Sequence, residues 1–296
     1  MTTDAVPLGR LSTLQDPSDR DVARKIDEIA RLWKTGDLVV YLGADLYPES
    51  PEFPTEPAAL AALLGKRVAV PGRLSGRLHE IAQYIESHKH RKTLLSLMEE
   101  IFRKKVTPSP VHRLLQAFPI PLVVDTWYSP ESSELLLGPG DCQISGVSRA
   151  EYRDRWFRID GRTSSGWDPL EDVSPGSRVL YRPLGTMNPG VEVLVSDADY
   201  VEVLTEIDIQ TPIPKFVQQH RSGRHFLFLG CRFDNQTSRI FARQIMKRSS
   251  ASHFVVRSGT VTSKEQLFYE REGIERLPLS LNESFLPELE KRLRSA

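Results

Sequence analysis

The residues of this chain best suited to ligand chemistry follow a short apolar segment near its N-terminal end. Residues 38–42 read LVVYL and lead directly into Gly43-Ala44-Asp45. An uninterrupted apolar run of this length is typical of a strand covered on both faces, which indicates a parallel sheet. A Gly-Ala turn at the carboxyl end of such a strand lets the backbone approach a ligand closely, where phosphates commonly bind in open α/β sheets. The same glycine is equally explained by positive φ or tight packing in an ordinary turn.

Two later apolar runs end in residues of a similar kind. Residues 122–125 end in an aspartate, and residues 226–229 lead into Gly230. Because the carboxyl ends of parallel strands meet at one edge of a sheet, we expect these runs and residues 38–42 to lie side by side at its centre. Arg232, just past the second glycine, could supply a counter-charge, since a guanidinium suits a phosphate better than an ammonium does.

Histidines and cysteines could act as metal ligands or nucleophiles, but a structural role explains the presence of most of them more simply. His88 and His90 alternate in a basic segment that no cysteine or carboxylate joins, so a solvated loop is favoured over a metal site. Cys231 follows a buried run with no histidine beside it, which favours an inert packed thiol. His220 and His225 flank a turn and could approach a cleft. The chain has no Walker loop, no G-x-S-x-G elbow and no H-E-x-x-H pair.

The segments between these runs alternate between helical and strand patterns. This alternation predicts a three-layer, Rossmann-like α/β fold with a mostly parallel sheet. Residues 1–17 are predicted as a flexible tail and residues 18–296 as one α/β domain. Residues 138–180, rich in Gly, Ser, Asp and Arg, are predicted to hold a hairpin or a small inserted lobe. Thr55 is predicted to cap a helix that Gly65 ends.

The composition argues against several classes of protein. The 296 residues include 39 Lys and Arg and 39 Asp and Glu, so the formal net charge is zero. No basic field favours nucleic acid or an anionic membrane. The longest apolar run, residues 58–64, is far shorter than the ~18 residues of a membrane helix, and the N-terminus lacks a signal-peptide pattern. Two widely separated cysteines fit a reduced compartment, and we expect a cytoplasmic protein.

Four segments, in order, resemble the SIR2-like (sirtuin-like) domain of bacteria. In that family a strand ends in Gly-Ala-Gly-x-Ser, and here residues 43–47 read GADLY. A family segment of the form Pro-x-x-His-x-x-Leu then precedes a strand and Thr-Asn-Tyr-Asp. Here residues 109–115 read SPVHRLL, and residues 126–129 read TWYS.

The other two segments lie in the second half of the chain. A family strand leads to His-Gly, and an Asp-Tyr pair later opens a helix. The corresponding residues here are Leu184-Gly185 and Asp199-Tyr200. The family then has Phe-x-Gly-Tyr-Ser with an aspartate shortly after, and residues 228–234 here read FLGCRFD. The order and spacing of the four segments are more specific than any one of them.

The resemblance covers roughly residues 21–290 and implies a Rossmann-like domain that holds NAD, ADP-ribose or another nucleotide. It also implies that His112 is a structural residue inside a helix. The absence of a cysteine quartet argues against the zinc-bearing lobe of protein deacetylases, so no metal is expected. The cofactor-binding residues that we assign by this resemblance, with Arg232 added for its charge, are Gly43, Ala44, Asp45, Thr126, Trp127, Gly185, Gly230 and Arg232.

Departures from the family pattern bear directly on function. The family asparagine that positions water and nicotinamide is replaced by Trp127, and the family histidine that acts as general base is replaced by Leu184. Neither an indole nor an isobutyl group can accept a proton near neutral pH. Asp45 stands where the family has a second glycine, and its carboxylate would repel a pyrophosphate. Tyr47 and Ser129 also replace family residues. We therefore interpret the chain as a degenerate member that keeps the scaffold and lacks the sirtuin catalytic residues.

Three functions remain open. The first is a nucleotide-binding pseudoenzyme or regulatory protein, with weak binding that glycine at position 45 would strengthen. The second is an NAD glycohydrolase or deacylase in which Asp45, Asp125 or a histidine from elsewhere has replaced the family residues. The third is a ligand-free structural module that binds a protein partner or a second copy of itself, which Trp127 and Tyr47 projecting into the cleft would favour.

Overall fold

The structure, a computed structural model, describes most of the chain. The predicted tail at residues 1–17 lies outside the described residues. The described residues, with side chains described except at 204–209, are 18–47, 53–104, 107–148, 155–209 and 213–295.

Helices and strands are interspersed along the described residues, and they alternate regularly from residue 225 onward. The α-helices are α1 (Asp19–Thr35), α2 (Pro57–Arg67), α3 (Leu78–Lys89), α4 (Arg91–Phe102), α5 (Pro110–Ala117), α6 (Glu131–Leu136), α7 (Asp197–Ile209), α8 (Lys215–Arg221), α9 (Gln236–Met246), α10 (Ser263–Glu272) and α11 (Leu286–Arg294). Short 3₁₀ turns span Ala44–Leu46 and Gly72–Leu74, and a π-helical turn spans Leu281–Phe285. The strands are β1 (Leu38–Leu42), β2 (Leu122–Asp125), β3 (Cys142–Gly146), β4 (Phe157–Arg162), β5 (Trp167–Leu170), β6 (Val179–Arg182), β7 (Gly185–Thr186), β8 (Glu192–Val193), β9 (His225–Leu229), β10 (His253–Val256) and β11 (Ile274–Leu277).

One large sheet organises the described part of the chain. Nine strands pair in the order β11-β10-β9-β1-β2-β6-β3-β4-β5, and all neighbours from β11 to β3 run parallel. The predicted neighbours at the centre, β9, β1 and β2, are confirmed. In register, Leu42 of β1 lies between Leu229 of β9 and Asp125 of β2, so the three strands end on the same rim.

Helices cover both faces of this sheet, which makes three layers. Leu38, Val40 and Leu42 of β1 belong to the core shared with α1 to α5 and α11. Val39 and Tyr41 point to the opposite core, shared with α8, α9 and α10. Every residue of β1 is therefore buried, and this explains why the strand lacks polar alternation. The predicted three-layer, Rossmann-like α/β fold is confirmed.

Residues 138–180 extend the main sheet rather than forming a layer of their own. β3 pairs in parallel with β6, and β4 and β5 continue the edge as an antiparallel hairpin. Of the two predicted alternatives, the hairpin is what the structure shows.

Two boundaries of helix α2 differ from expectation. The cap position of α2 is Glu56 rather than Thr55, and the helix runs past Gly65 to Arg67, because a glycine in the last turn can stay helical.

The described helices give no sign of a membrane span. None of them is both long enough and apolar enough to cross a bilayer.

Candidate functional site

A cleft of about 450 Å³ opens at the rim where β9, β1 and β2 end. The chain leaves β1 toward β2 on one side, and β9 lies on the other, so the cleft sits where the strand order reverses. Ligands of open α/β sheets bind at such crevices. The volume lies within the ~300–1,000 Å³ of small-molecule sites. Its lining residues are Tyr41, Gly43, Ala44, Asp45, Thr55, Glu56, Pro57, Ala58, Gly76, Leu78, His79, Thr126, Trp127, Tyr128, Leu184, Tyr200, Gly230, Cys231, Arg232, Phe233, Asp234, Asn235, Thr237, Ser238 and Phe241.

The main chain of Gly43 and Gly230 forms the floor of the cleft. The Gly43 N–H donates to the Leu229 carbonyl oxygen and the Asp45 N–H to the Gly230 oxygen, both at 3.0 Å. A Cβ on Gly43 would lie 2.3 Å from the Gly230 oxygen, and one on Gly230 would lie 2.8 Å from the Leu46 nitrogen. Gly230 also has φ of +66°. Contact between the two loops is therefore enough to require both glycines, whether or not a ligand lies above them.

Four charged side chains form what we call the Asp45 cluster: Asp45, Glu56 and Arg232, which line the cleft, and Arg257, which lies beside it. The Arg232 Nε lies 2.6 Å from Asp45 Oδ2, and its Nη1 lies 2.9 Å from Glu56 Oε2. Arg257 Nη1 lies 3.4 Å from the same Asp45 oxygen. Burial raises the pKa of Asp45, although the two arginines act to lower it. The sequence predicted that Asp45 would repel a pyrophosphate and that Arg232 could supply a counter-charge. The structure pairs these two side chains, and the formal charges of the cluster cancel.

Thr126 and Trp127 form the wall after β2. The Thr126 N–H and Oγ1 both donate to the Leu42 carbonyl oxygen, at 3.1 and 2.9 Å. The Trp127 indole N–H donates to the Pro54 oxygen at 3.1 Å, and the fully buried Arg182 donates to the Trp127 oxygen at 2.6 Å. Trp127 is only 5% exposed. Its indole therefore fills the wall rather than standing free to stack on a base.

Tyr47 and His112 lie in the core beneath this wall. The Tyr47 ring contacts Phe53 edge-on, with centroids 5.3 Å apart, and lies 5.7 Å from the His112 ring. The two nitrogens of His112 bond to the hydroxyls of Ser109 and Ser132, each at 2.9 Å. Burial, with the nearby Arg182 charge second, lowers the pKa of His112 to about 4. His112 is thus structural, and Tyr47 does not project into the cleft.

The N-terminal end of α9 forms the wall opposite β2. Asn235 caps this helix, and its side-chain oxygen accepts a bond from the Ser238 N–H at 2.8 Å. Thr237 and Ser238 line the cleft with hydroxyl groups, and Asp234 lies at its edge. A helix N-terminus carries partial positive charge and favours anions, so this wall offers both hydroxyl partners and a favourable field.

One imidazole lines the cleft within the described residues, and it comes from α3. His79 Nδ1 lies 3.0 Å from the Val195 carbonyl oxygen, and its ring meets the Tyr200 ring edge-on with centroids 4.2 Å apart. Burial lowers the pKa of His79, although Asp197 and Asp199 act to raise it. The histidine is therefore largely neutral at pH 7.

Leu184 lines the cleft, but Gly185 turns away from it. Gly185 begins β7 with φ of +89°, and a Cβ there would lie 2.1 Å from the Glu192 oxygen of β8. Close packing of β7 on β8 is therefore the role the structure gives Gly185. The other seven residues assigned from the sequence come together at the cleft, although ligand binding by them stays a prediction.

The remaining candidates for chemistry lie elsewhere or are unreactive. His225 starts β9 at the end opposite the cleft, and His220 lies in α8. His88 stacks on Tyr84 at 4.0 Å. Burial raises the pKa of Cys231 well above its usual value, and the negative charge of Asp45 adds to this. The residues that the structure describes contain no group of three or more His, Cys, Asp or Glu that could hold a metal.

Sequence reasoning missed several wall residues because they belong to helices remote in the chain. His79 directly follows Leu78, the first residue of the apolar stripe of α3, and no spacing rule marks it. Asn235 could have been found, since an asparagine directly ahead of an apolar helical pattern is an N-cap signal.

Comparison with known families agrees with this geometry. Residues 145–277 match the family model of the SIR2-like domain. This part of the chain is similar to a SIR2-like domain. The matched residues begin within β3 and end with β11, so they include β9 with Gly230 and Arg232. The predicted resemblance to the SIR2-like family is confirmed for these residues, which hold the last two of the four segments. A comparison with curated proteins finds no match. The SIR2-like family generally binds NAD.

Proposed function

We propose that this SIR2-like protein binds NAD, ADP-ribose or a related nucleotide in the cleft, and that it is a pseudoenzyme with respect to the sirtuin mechanism. The observation that carries the proposal is the position of the cleft, at the rim where β9, β1 and β2 end and the strand order reverses. Nucleotides of open α/β sheets bind at this kind of place.

The walls suit the parts of a nucleotide. Thr237 can bond ribose or phosphate oxygens beside the N-terminus of α9. The Ser238 hydroxyl donates to the Asn235 oxygen at 3.1 Å and can accept a bond from a ribose hydroxyl. Phe233 and Phe241 add apolar surface for a base. The Asp45 cluster adds no net charge, so affinity for a pyrophosphate comes from the helix end and the backbone. We therefore expect weak binding of dinucleotides.

Loss of the family chemistry follows from the two replaced residues. Leu184 lines the cleft where the resemblance places the general base, and its side chain has no basic atom. Trp127 fills the place of the family asparagine, with its single N–H already donated to Pro54. Neither residue can move a proton or hold a water for the sirtuin reaction.

The ligand-free alternative has less support from the described residues. It would be favoured by Trp127 and Tyr47 projecting into the cleft, but both side chains are buried, at 5% and 6% exposure. At the cleft, a protein partner or a second copy of the chain stays a prediction without an observation that favours it.

Calorimetry with ADP-ribose, NAD and adenosine tests the proposal. The wild type should bind ADP-ribose, and Thr237→Trp should abolish binding because the indole would occupy the cleft. Ser263→Trp, an equally bulky change in the first turn of α10 away from the cleft, is the control and should leave affinity unchanged. If the wild type binds none of the three ligands, the proposal is wrong.

A further inference from the structure

We infer that copies of this chain associate head to tail, with the exposed acidic segment 168–172 of one copy seated in a basic groove between α9 and α10 of the next. The groove lies on the side of α9 that faces away from the cleft, since Phe241 lines the cleft while Arg239 and Arg243 line the groove. The inference therefore concerns a second surface of the molecule and needs no nucleotide.

Four cations surround the groove, which has a volume of about 330 Å³. They are Arg239 and Arg243, one turn apart on α9, and Lys264 and Arg271, two turns apart on α10. Among the described residues that line the groove, none is acidic. Arg243 pairs with Glu272 at 2.7 Å, but no ion pair of Lys264 or Arg271 with another described residue is found. The groove therefore attracts an anionic partner.

The centre of the groove is apolar. Leu267 lies between Lys264 and Arg271 along α10 and is 44% exposed, and Ile240 of α9 lines the same groove. Burial of such a leucine against another apolar side chain is favourable, whereas contacts to phosphates would leave it without an apolar partner. The groove therefore favours an acidic protein segment with an apolar residue in it over a nucleic acid.

A segment of this kind lies at the opposite edge of the sheet. Residues 168–172, at the end of β5 and the bend after it, read DPLED, and all five are exposed. Leu170 is 37% exposed, and the carboxylates on either side of it form no ion pair with another described residue. Five extended residues span about 13 Å, and the α10 side of the groove spans about 10 Å from Lys264 to Arg271. The segment thus matches the groove in charge, in its apolar centre and in length.

The groove and the segment that fills it belong to different copies, because the sheet holds them apart. Seven strand spacings of about 4.8 Å separate β5 from β10, the strand that precedes α10, so about 34 Å lie between them. The charges of the chain are divided in the same way. Residues 125–208 contain 16 Asp and Glu against seven Lys and Arg, whereas residues 215–272 contain four against 11. A neutral chain with opposite charges toward the two edges of its sheet attracts a second copy edge to edge.

An association of this kind joins two different surfaces, so every pair of copies keeps one free groove and one free segment. Assembly therefore continues beyond a dimer, to a closed ring or an open row of copies. The groove is small for a protein interface, so the association is weak and depends on protein concentration.

Sedimentation velocity on the full chain tests the inference. At low ionic strength, wild type should form species larger than a dimer as its concentration rises. These species should dissociate at ~1 M salt, where the screening length is about 3 Å. The groove variant, Lys264→Glu/Arg271→Glu, should raise the Kd for self-association at least about tenfold, because it places like charges in contact. The matched control, Lys66→Glu/Lys92→Glu, reverses two exposed lysines on α2 and α4 and should match wild type.

A mixing experiment tests the head-to-tail arrangement. The segment variant, Glu171→Lys/Asp172→Lys, should also fail to self-associate. An equal mixture of the groove and segment variants should associate again, because the intact groove of the second receives the intact segment of the first. Circular dichroism checks that each variant is folded.

Three results would overturn the inference: a wild type that stays monomeric at every concentration, folded variants that associate as wild type does, or a mixture of folded variants that stays apart. Duplex DNA serves as the probe for the other kind of partner. If wild type binds it without self-association, and the groove variant does not bind it, the groove takes a nucleic acid and the inference is wrong.

Discussion

The Asp45 cluster gives the sharpest prediction about ligand preference. Asp45 Oδ2 contacts both Arg232 and Arg257, at 2.6 and 3.4 Å, and holds their guanidiniums at the edge of the cleft. Asp45→Asn keeps the size and the polar contacts of this side chain but removes its charge. The cluster then changes from zero to +1, and both guanidiniums become available to an anion.

The size of the effect follows from the distances. Two unit charges about 5 Å apart interact by about 1 kcal/mol in bulk water and by about 3 kcal/mol at the effective dielectric constant of ~20 near a protein surface. A phosphate placed over the cleft floor should thus gain about 1–3 kcal/mol, which corresponds to ~5–150-fold in Kd. Glu56→Gln should gain less, since among the described residues Glu56 pairs with Arg232 and not with Arg257, and its side chain is more exposed than that of Asp45.

The assay compares a charged with an uncharged ligand. Calorimetry should show tighter binding of ADP-ribose to Asp45→Asn than to wild type, and no change for adenosine. The gain should shrink as ionic strength rises from ~0.01 to ~0.1 M, because the screening length falls from about 30 to about 10 Å. Asp168→Asn, an exposed charge removal in β5, is the matched control. Equal gains for adenosine and ADP-ribose, or none for either, would refute the electrostatic argument.

Two further predictions concern stability. Gly230→Ala should lower the free energy of unfolding in urea by about 2–5 kcal/mol, because it adds a clash with Leu46 to the strain of positive φ. The control, Gly36→Ala, has φ of +74° in open space and should lower it by only about 1–2 kcal/mol. Equal losses in the two variants would contradict the packing argument. His112 has a folded pKa of about 4 against about 6.5 unfolded, so its contribution is full above pH 6.5 and is lost as pH falls toward 4. The free energy of unfolding that is lost between pH 7 and pH 5 should therefore be about 2 kcal/mol smaller in His112→Gln than in wild type. In the exposed control His88→Gln this loss should equal that of wild type. An unaltered pH dependence in His112→Gln would show that His112 is not the group involved.

The central strands of the fold could be predicted because their burial on both faces is evident from their local sequence. Residues 38–42, 122–125 and 226–229 are apolar at every position or nearly so, and only a strand covered on both faces permits this. That their ends meet at one rim follows from parallel pairing. The hairpin at residues 157–170 was harder to place, since strands at the sheet edge carry mixed polar and apolar residues.

The chemistry of the cleft could be predicted less well, since it depends on distant contacts. Asp45 was expected to repel phosphates, but Arg257 reaches it only because β10 lies next to β9. His79 was overlooked because its place in the cleft depends on how α3 packs against α7. Sequence patterns locate buried strands well, whereas the partner of a given charge depends on the order of the strands and helices.

The contact between Gly43 and Gly230 divides the residues of the cleft into two groups, those that cannot be substituted and those that can. The base of the cleft consists of main chain, and no substitution at either glycine can reshape it without forcing the two strand ends apart. The walls also include the starts of α2 and α3, from one helical layer, and the start of α9, from the other. Relatives of this chain can therefore diverge in what they accept by altering helix termini one at a time, while the sheet beneath them keeps the same shape.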